Sequence, residues 1–85
     1  MTDITLNAAE RAELFKQDPA RKSDGGFQSF LVSLQDRVKS PKNSLTLNQE
    51  DLEKIPRYAF DYKNGGWQKS LTAIFGRHLG DHLGR

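Results

Sequence analysis

Near the carboxyl end of the sequence, two histidines lie four positions apart with an aspartate between them. On a helix, His78 and His82 would share one face, and with Asp81 they could bind a divalent metal ion. Gly80 and Gly84 interrupt this stretch, and helix ends fray readily. We therefore expect a fraying last turn, with the imidazoles near the negative end of the helix dipole, and no metal site.

The sequence gives little support to catalysis. It contains no cysteine, which excludes disulfides, thiolate zinc sites and thiol nucleophiles. Neither histidine is accompanied by a serine and a carboxylate in a pattern typical of a catalytic triad. The acidic residues Glu50, Asp51 and Glu53 fall in a predicted first helical turn, where interaction with the helix dipole explains them. Because 85 residues leave little room for a substrate pocket, we expect no enzyme, no catalytic residue and no cofactor.

An element of two glycines, an aromatic residue and a glutamine occurs twice in the chain. Residues 25–28 read GGFQ and residues 65–68 read GGWQ, and apolar residues follow both at the same spacing. Upstream, the string ITLN at residues 4–7 is matched by LTLN at residues 45–48. These matches predict an internal duplication with a period of about 40 residues, a length typical of structural repeats.

The predicted duplication divides the chain into two similar units. They span residues 4–40 and 45–82, and a loop at residues 39–44 joins them. This loop contains lysine, serine, proline and asparagine, a composition that favours turns. The whole chain, residues 1–85, is predicted to form one domain.

Each unit is predicted to begin with a capped helix. Asn7 and Asn48 are suitable N-cap residues, and an acidic residue follows each at the third helical position, Glu10 and Asp51. In the first unit this helix is predicted over residues 8–17, because Pro19 disfavours helical backbone at the residue before it.

Pro56 lies within the corresponding stretch of the second unit. It either kinks that helix or begins a new helical turn.

The second helix of each unit follows the glycine pair. Asp24 and Asn64 occupy equivalent positions and are predicted to cap it. Apolar residues recur there at helical spacing and form one stripe in each unit. The stripes contain Phe27, Phe30, Leu31, Leu34 and Val38 in the first unit, and Trp67, Leu71, Ile74, Phe75 and Leu79 in the second.

The predicted fold class is all-α. We expect about four helices, arranged as two tandem helical hairpins that pack into a small bundle, because one hairpin could not bury its apolar stripe alone. No stretch alternates clearly enough to predict a strand. No apolar run exceeds three residues, so we expect no membrane span, and without a signal peptide the expected location is the cytoplasm.

Charge is unevenly distributed, although the net charge is only +2. The first half of each unit is net acidic and the second half is net basic. If the basic halves adjoin, they form a positive face that attracts polyanions. Its members would be Arg21, Lys22, Arg37, Lys39, Lys63, Lys69, Arg77 and Arg85. The alternative, which the small net charge favours, is that these cations pair with the acidic helix of the neighbouring unit.

The glycine-rich elements also have two interpretations. As a nucleic-acid interface, helix starts would contact phosphate, glutamines would contact bases, and nearby cations would add affinity. The residues of this alternative are Gly25, Gly26, Gln28, Arg37, Lys63, Gly65, Gly66, Gln68, Lys69 and Arg77. We favour the structural interpretation, in which the glycines permit a sharp turn and close backbone approach, with Phe27 and Trp67 in the core.

Three aromatic residues remain that a small core does not need: Tyr58, Phe60 and Tyr62. Exposed aromatic side chains are typical of protein–protein contacts. The sequence therefore predicts a small non-enzymatic helical module that binds another protein, or itself, through these three residues. The alternative is a nucleic-acid-binding regulator that uses the basic second helix of each unit.

Overall fold

The structure, a computed structural model, describes the backbone of residues 1–85 and the side chains of residues 1–21 and 25–85. In chain order the elements are β1 (Thr2–Thr5), α1 (Ala8–Phe15), a 3₁₀-helical turn (Pro19–Asp24), α2 (Gly26–Arg37), β2 (Ser44–Leu47), α3 (Gln49–Pro56), a π-helical turn (Arg57–Asp61) and α4 (Gly65–Leu79). Both predicted units therefore contribute a strand, a helix, a short helical turn and a second helix. Among the described helices, none combines the length and the apolar character needed to cross a membrane.

The prediction of an all-α fold of two packed hairpins is wrong. β1 and β2 pair as a two-stranded antiparallel sheet, with Ile4 opposite Leu45. Ile4, Leu6, Leu45 and Leu47 are buried and alternate with polar residues, as a half-buried strand requires. Strands this short show too little alternation to be separated from loop by pattern alone, and each needs a partner from the other unit. The chain is a small mixed α/β domain.

The predicted capping boxes of α1 and α3 are confirmed. The Asn7 side chain accepts a hydrogen bond of 2.8 Å from the Glu10 amide, and the Glu10 carboxylate accepts one of 2.8 Å from the Asn7 amide. Asn48 and Asp51 form the same reciprocal pair at 2.8 and 2.9 Å. The far end of α1 differs from the prediction of residues 8–17, since this helix ends at Phe15.

Pro56 does not begin a new helical turn, and the backbone stays helical through it. It is the last residue of α3, and the chain continues directly into the π-helical turn Arg57–Asp61. Proline has no amide hydrogen, so it cannot continue the regular hydrogen-bond ladder, and a wider turn takes over at this point. Tyr58 and Phe60 lie within this turn, and Tyr62 directly follows it.

The second helices bury the predicted stripes. Every member is buried except Val38, Trp67 and Leu79, which pack half-buried against the same core. Asn64 caps α4 as predicted, since its side chain accepts hydrogen bonds from the amides of Gly66 and Trp67 at 3.0 and 3.1 Å. The predicted cap at Asp24 and the predicted place of Lys22 in a basic face concern side chains that lie outside the described residues.

Two arginines join the units. Arg37 of α2 donates two hydrogen bonds, of 2.7 and 2.8 Å, to the carboxylate of Asp51 at the start of α3. Arg77 of α4 donates two, of 3.1 and 2.9 Å, to the carboxylate of Glu10 at the start of α1. These two arginines therefore pair with the acidic helix of the neighbouring unit, which was the alternative to a positive face that attracts polyanions. Sequence-equivalent residues thus form equivalent contacts.

Glu10 has an unusually acidic carboxyl group. Burial by itself raises the pKa of Glu10, but hydrogen bonds from Arg77, the Asn7 amide and His78 outweigh this effect and lower the pKa from 4.5 to about 2. Above pH 4.5 the carboxyl is ionised in both folded and unfolded chains, so its contribution to stability is complete. As the pH falls from 4.5 to about 2, the unfolded chain binds the proton more readily, and this stability is lost.

We therefore expect Glu10→Gln to be less stable than the unchanged protein at pH 7, and its stability to depend less on pH below pH 4.5. Urea unfolding at a series of pH values measures both effects. Asp81→Asn is the control, because Asp81 is exposed and forms no ion pair with a described residue. Equal pH dependence in Glu10→Gln and the unchanged protein would contradict the assignment.

Candidate binding surface

Five aromatic rings form a cluster where α2, the π-helical turn and α4 meet. Phe27 and Trp67, the aromatic residues of the two glycine-rich elements, stack with ring centroids 4.6 Å apart. Tyr58 stacks on Phe30 at 5.7 Å and meets Phe27 and Trp67 edge-on at 5.8 and 5.9 Å. Because equivalent residues stack on each other, the starts of α2 and α4 lie side by side.

Tyr62 is the fifth ring and the most exposed of the cluster. Its ring stacks on Tyr58 at 5.3 Å and contacts Trp67 edge-on at 5.5 Å. Nevertheless, 54% of the residue remains accessible to solvent. The inner face of the ring is fixed by two neighbours, so a partner could cover the outer face at small cost in side-chain entropy.

The three predicted partner-binding residues do not lie together. Tyr58 and Tyr62 share the aromatic cluster, whereas Phe60 packs half-buried against the core and has no ring contact among the described aromatic residues. The guanidinium of Arg85 lies 5.9 Å from the centre of the Phe60 ring. We therefore define the aromatic face as Tyr58, Tyr62 and Trp67.

The glycines beside this face serve close packing. A Cβ atom on Gly26 would lie 2.6 Å from the hydroxyl oxygen of Tyr58, and one on Gly25 would lie 2.8 Å from the side-chain oxygen of Gln28. Gly65 has open space around it. Gly26 therefore allows Tyr58 to lie against the first turn of α2, in agreement with the structural interpretation of this glycine.

The predicted nucleic-acid residues separate into two groups. Arg37 and Arg77 are held by Asp51 and Glu10, so contact with phosphate would compete with these bonds. Lys63 and Lys69 are exposed and form no salt bridge or hydrogen bond with any side chain that the structure describes. Gln68 is exposed beside Lys69, and Gln28 is half-buried.

The histidines are not arranged as a metal site. α4 ends at Leu79, and Gly80 has a φ of 89°, so His82 lies beyond the helix that carries His78. His78 instead points at Glu10, with Nε2 3.0 Å from the carboxylate. Within the described residues, no three His, Cys, Asp or Glu side chains are placed to hold a metal ion.

The prediction of a fraying last turn is also wrong. Leu83 is fully buried in the core, and Arg85 donates two hydrogen bonds, of 2.6 and 2.8 Å, to the carboxylate of Asp61. The two glycines of this stretch adopt positive φ angles, which lets the chain turn back and bring Leu83 to the core.

The sequence analysis missed a groove between α2 and α3. It has a volume of about 480 Å³ and is lined on the α2 side by Gly26, Ser29, Phe30 and Ser33. Lys54 and Tyr58 line the opposite side, so Tyr58 belongs both to the groove and to the aromatic face. The small residues of α2 recur every three or four positions, which places them on one face of the helix. This spacing is the feature of the sequence that could have indicated the groove.

Comparison with known proteins provides no relative. No protein-family model matches the chain, and no curated protein or solved structure is significantly similar to it. The function must therefore be inferred from the residues themselves.

The packing of Gly26 against Tyr58 predicts different effects at two glycines that each begin a helix. Gly26→Ala should destabilise the protein by about 1 kcal/mol and displace Tyr58 from the ring cluster, since the new methyl group overlaps its hydroxyl. Gly65→Ala meets no neighbour and should be neutral or slightly stabilising. Urea unfolding and near-ultraviolet circular dichroism measure these effects. Equal stability and equal spectra for the two variants would contradict the predicted overlap.

Proposed function

We propose that this protein is a non-enzymatic binding module that captures another protein on the aromatic face. The observation that carries the proposal is the position of Tyr62, whose ring is fixed on its inner side and open on its outer side. Tyrosine and tryptophan are enriched among the residues that carry most of the binding energy of protein interfaces. The binding role follows from this anchor together with the scarcity of groups for chemistry.

The charges around the aromatic face specify the partner further. Lys63 directly follows Tyr62 and forms no ion pair within the described part of the chain. The carboxylate of Asp61 on the other side is already bound by Arg85. An isologous pairing of two copies about this face would bring equal positive charges together, which is unfavourable. A different protein with acidic residues beside its contact site fits better.

Site-specific photo-crosslinking tests this proposal in the cells that produce the protein. A benzoyl-phenylalanine placed at Tyr62 should form one discrete adduct with another protein. The same probe at Thr72, an exposed position on the outer side of α4, should not form it. A Tyr62→Ala substitution combined with a probe at Lys63 should abolish the adduct, and Tyr62→Phe with that probe should retain it, because the ring supplies the contact.

The size and sensitivity of the adduct distinguish the outcomes. Equal labelling from Tyr62 and Thr72, or no adduct from either, would contradict the proposal. An adduct of twice the mass of the chain would show self-association, and an adduct removed by nuclease would show a nucleic-acid partner.

Nucleic-acid binding is the second candidate function. It is favoured by one arrangement: Phe27 and Trp67 bring the two glycine-rich helix starts together, near an exposed tyrosine and the unpaired Lys63. Stacking on an aromatic ring beside a cation is how proteins bind single strands. Against it, Asn64 already binds two amides at the start of α4, and both arginines are paired with carboxylates.

Fluorescence anisotropy with labelled single-stranded RNA and duplex DNA decides this candidate. We expect weak binding at low salt that disappears at about 150 mM salt, where exposed charges are screened. Binding that persists there, and that falls about tenfold in the double variant Lys63→Glu, Lys69→Glu, would favour a nucleic-acid partner instead. The control is Lys39→Glu with Lys42→Glu, which changes the same charge on the exposed loop.

A further inference from the structure

The aromatic face carries hydrogen-bond donors that the rest of the chain does not use. The indole Nε1 of Trp67 can only donate, and the hydroxyl of Tyr58 can donate or accept. Neither group forms a hydrogen bond with any residue that the structure describes. Both residues are half-buried, yet every buried side-chain nitrogen or oxygen of the described residues has a partner. The indole nitrogen and the hydroxyl oxygen are therefore open to solvent.

A partner that covers this face must supply acceptors for these donors. A donor that loses its water without gaining an acceptor weakens binding. The ring centroids of Tyr58 and Trp67 lie 5.9 Å apart, so one short segment can reach both donors. The partner is therefore expected to combine apolar groups, which pack on the rings, with two free acceptors that lie close together.

An extended segment in the polyproline II conformation has free acceptors. Its backbone forms no internal hydrogen bonds, so each of its carbonyl groups can accept one from a partner. A helix instead uses its carbonyl groups internally, except in its last turn. An added β-strand would need an open sheet edge, whereas the aromatic face consists of side chains from α4, the π-helical turn and the residue after it.

Proline-rich sequence suits this face because few acceptors lie near it. Trp67 has no acceptor atom, and the carboxylate of Asp61 is bound by Arg85, so an N–H group of a partner would find few acceptors here. Proline has a carbonyl group but no N–H, so it can bury its ring without burying an unpaired donor. The rings of Tyr62 and Trp67 are inclined at 60° to each other, and one proline ring can contact both.

We propose that the aromatic face binds a proline-rich segment of the partner protein in the polyproline II conformation. The inference rests on the proposed function and names the form of the partner. Prolines pack against Tyr62 and Trp67. Carbonyl oxygens of the segment accept hydrogen bonds from Trp67 Nε1 and from the Tyr58 hydroxyl. An acidic residue beside the prolines pairs with Lys63, whose ammonium has no partner among the described residues.

Selection from a displayed library of random peptides of about twelve residues, or about four turns of polyproline II, tests this inference on the full chain. The enriched peptides should be rich in proline and carry an acidic residue. Trp67 is the only tryptophan of the sequence, so its indole gives a single side-chain N–H signal in a nitrogen–proton NMR spectrum. When an enriched peptide is bound, this proton should exchange with water more slowly, because a peptide carbonyl replaces water as its acceptor.

Removal of the second donor provides a matched comparison. Tyr58→Phe removes a hydroxyl from the face and keeps the ring, and it should weaken binding of the enriched peptides about fivefold. Thr72→Val removes an exposed hydroxyl on the outer side of α4, and it should change binding less than about twofold. Equal affinity of the two variants, or an indole proton that exchanges at the same rate with and without peptide, would overturn the inference.

Three outcomes of the selection would also overturn the inference, and they differ in what they leave standing. Enriched peptides that lack proline but lose binding to Tyr62→Ala would reject the proline-rich segment and retain the aromatic face. Peptides that bind Tyr62→Ala as well as the unchanged protein would reject the face and the proposed function together. A selection that enriches no peptide would reject the proline-rich segment while leaving the crosslinking test of the proposed function unaffected.

Discussion

Two buried carboxylates, Glu10 and Asp51, determine how the rest of the molecule is arranged. Each closes the capping box of its own helix and also accepts two hydrogen bonds from an arginine of the other unit. Their side chains are only 5% and 7% exposed, so loss of either arginine would leave a buried charge without its partner. Each capping asparagine comes shortly after a strand. Each carboxylate therefore helps to fix three things: the end of that strand, the start of its own helix and the position of a helix from the other unit.

The aromatic cluster is a further contact between the units, and the proposed binding surface is part of it. Phe27 and Trp67 stack across the units, and Gly26 leaves the space in which Tyr58 joins them. Tyr62 is 54% exposed at the edge of the cluster, while Tyr58 and Trp67 contact the inner face of its ring. A ring that is both rigid and exposed is suited to binding, since little conformational freedom remains to be lost.

The two units resemble each other in several of the contacts that hold the domain together and differ at one interface. Both have a capped first helix, a paired strand and an arginine bound to the opposite carboxylate. They differ where Phe30 and Lys54 stand in place of Ser70 and Glu13, and the open groove lies at that place. The groove thus lies at an interface at which the two units are not equivalent.

The sequence by itself determined the local features of this protein. The capping boxes at Asn7 and Asn48 and the cap at Asn64 follow from interactions within a few residues of the chain, and the helical stripes follow from apolar residues at helical spacing; all of these were predicted. What tertiary structure alone decided were the sheet, the buried position of Leu83, the separation of Phe60 from Tyr62 and the groove between α2 and α3. Each of these depends on a partner far along the chain: a strand of the other unit, a core that receives the last turn, or a second helix whose distance is set by side chains between them. The periodicity of apolar residues indicates which side of a helix or strand is buried, but it does not indicate which distant residues that side contacts.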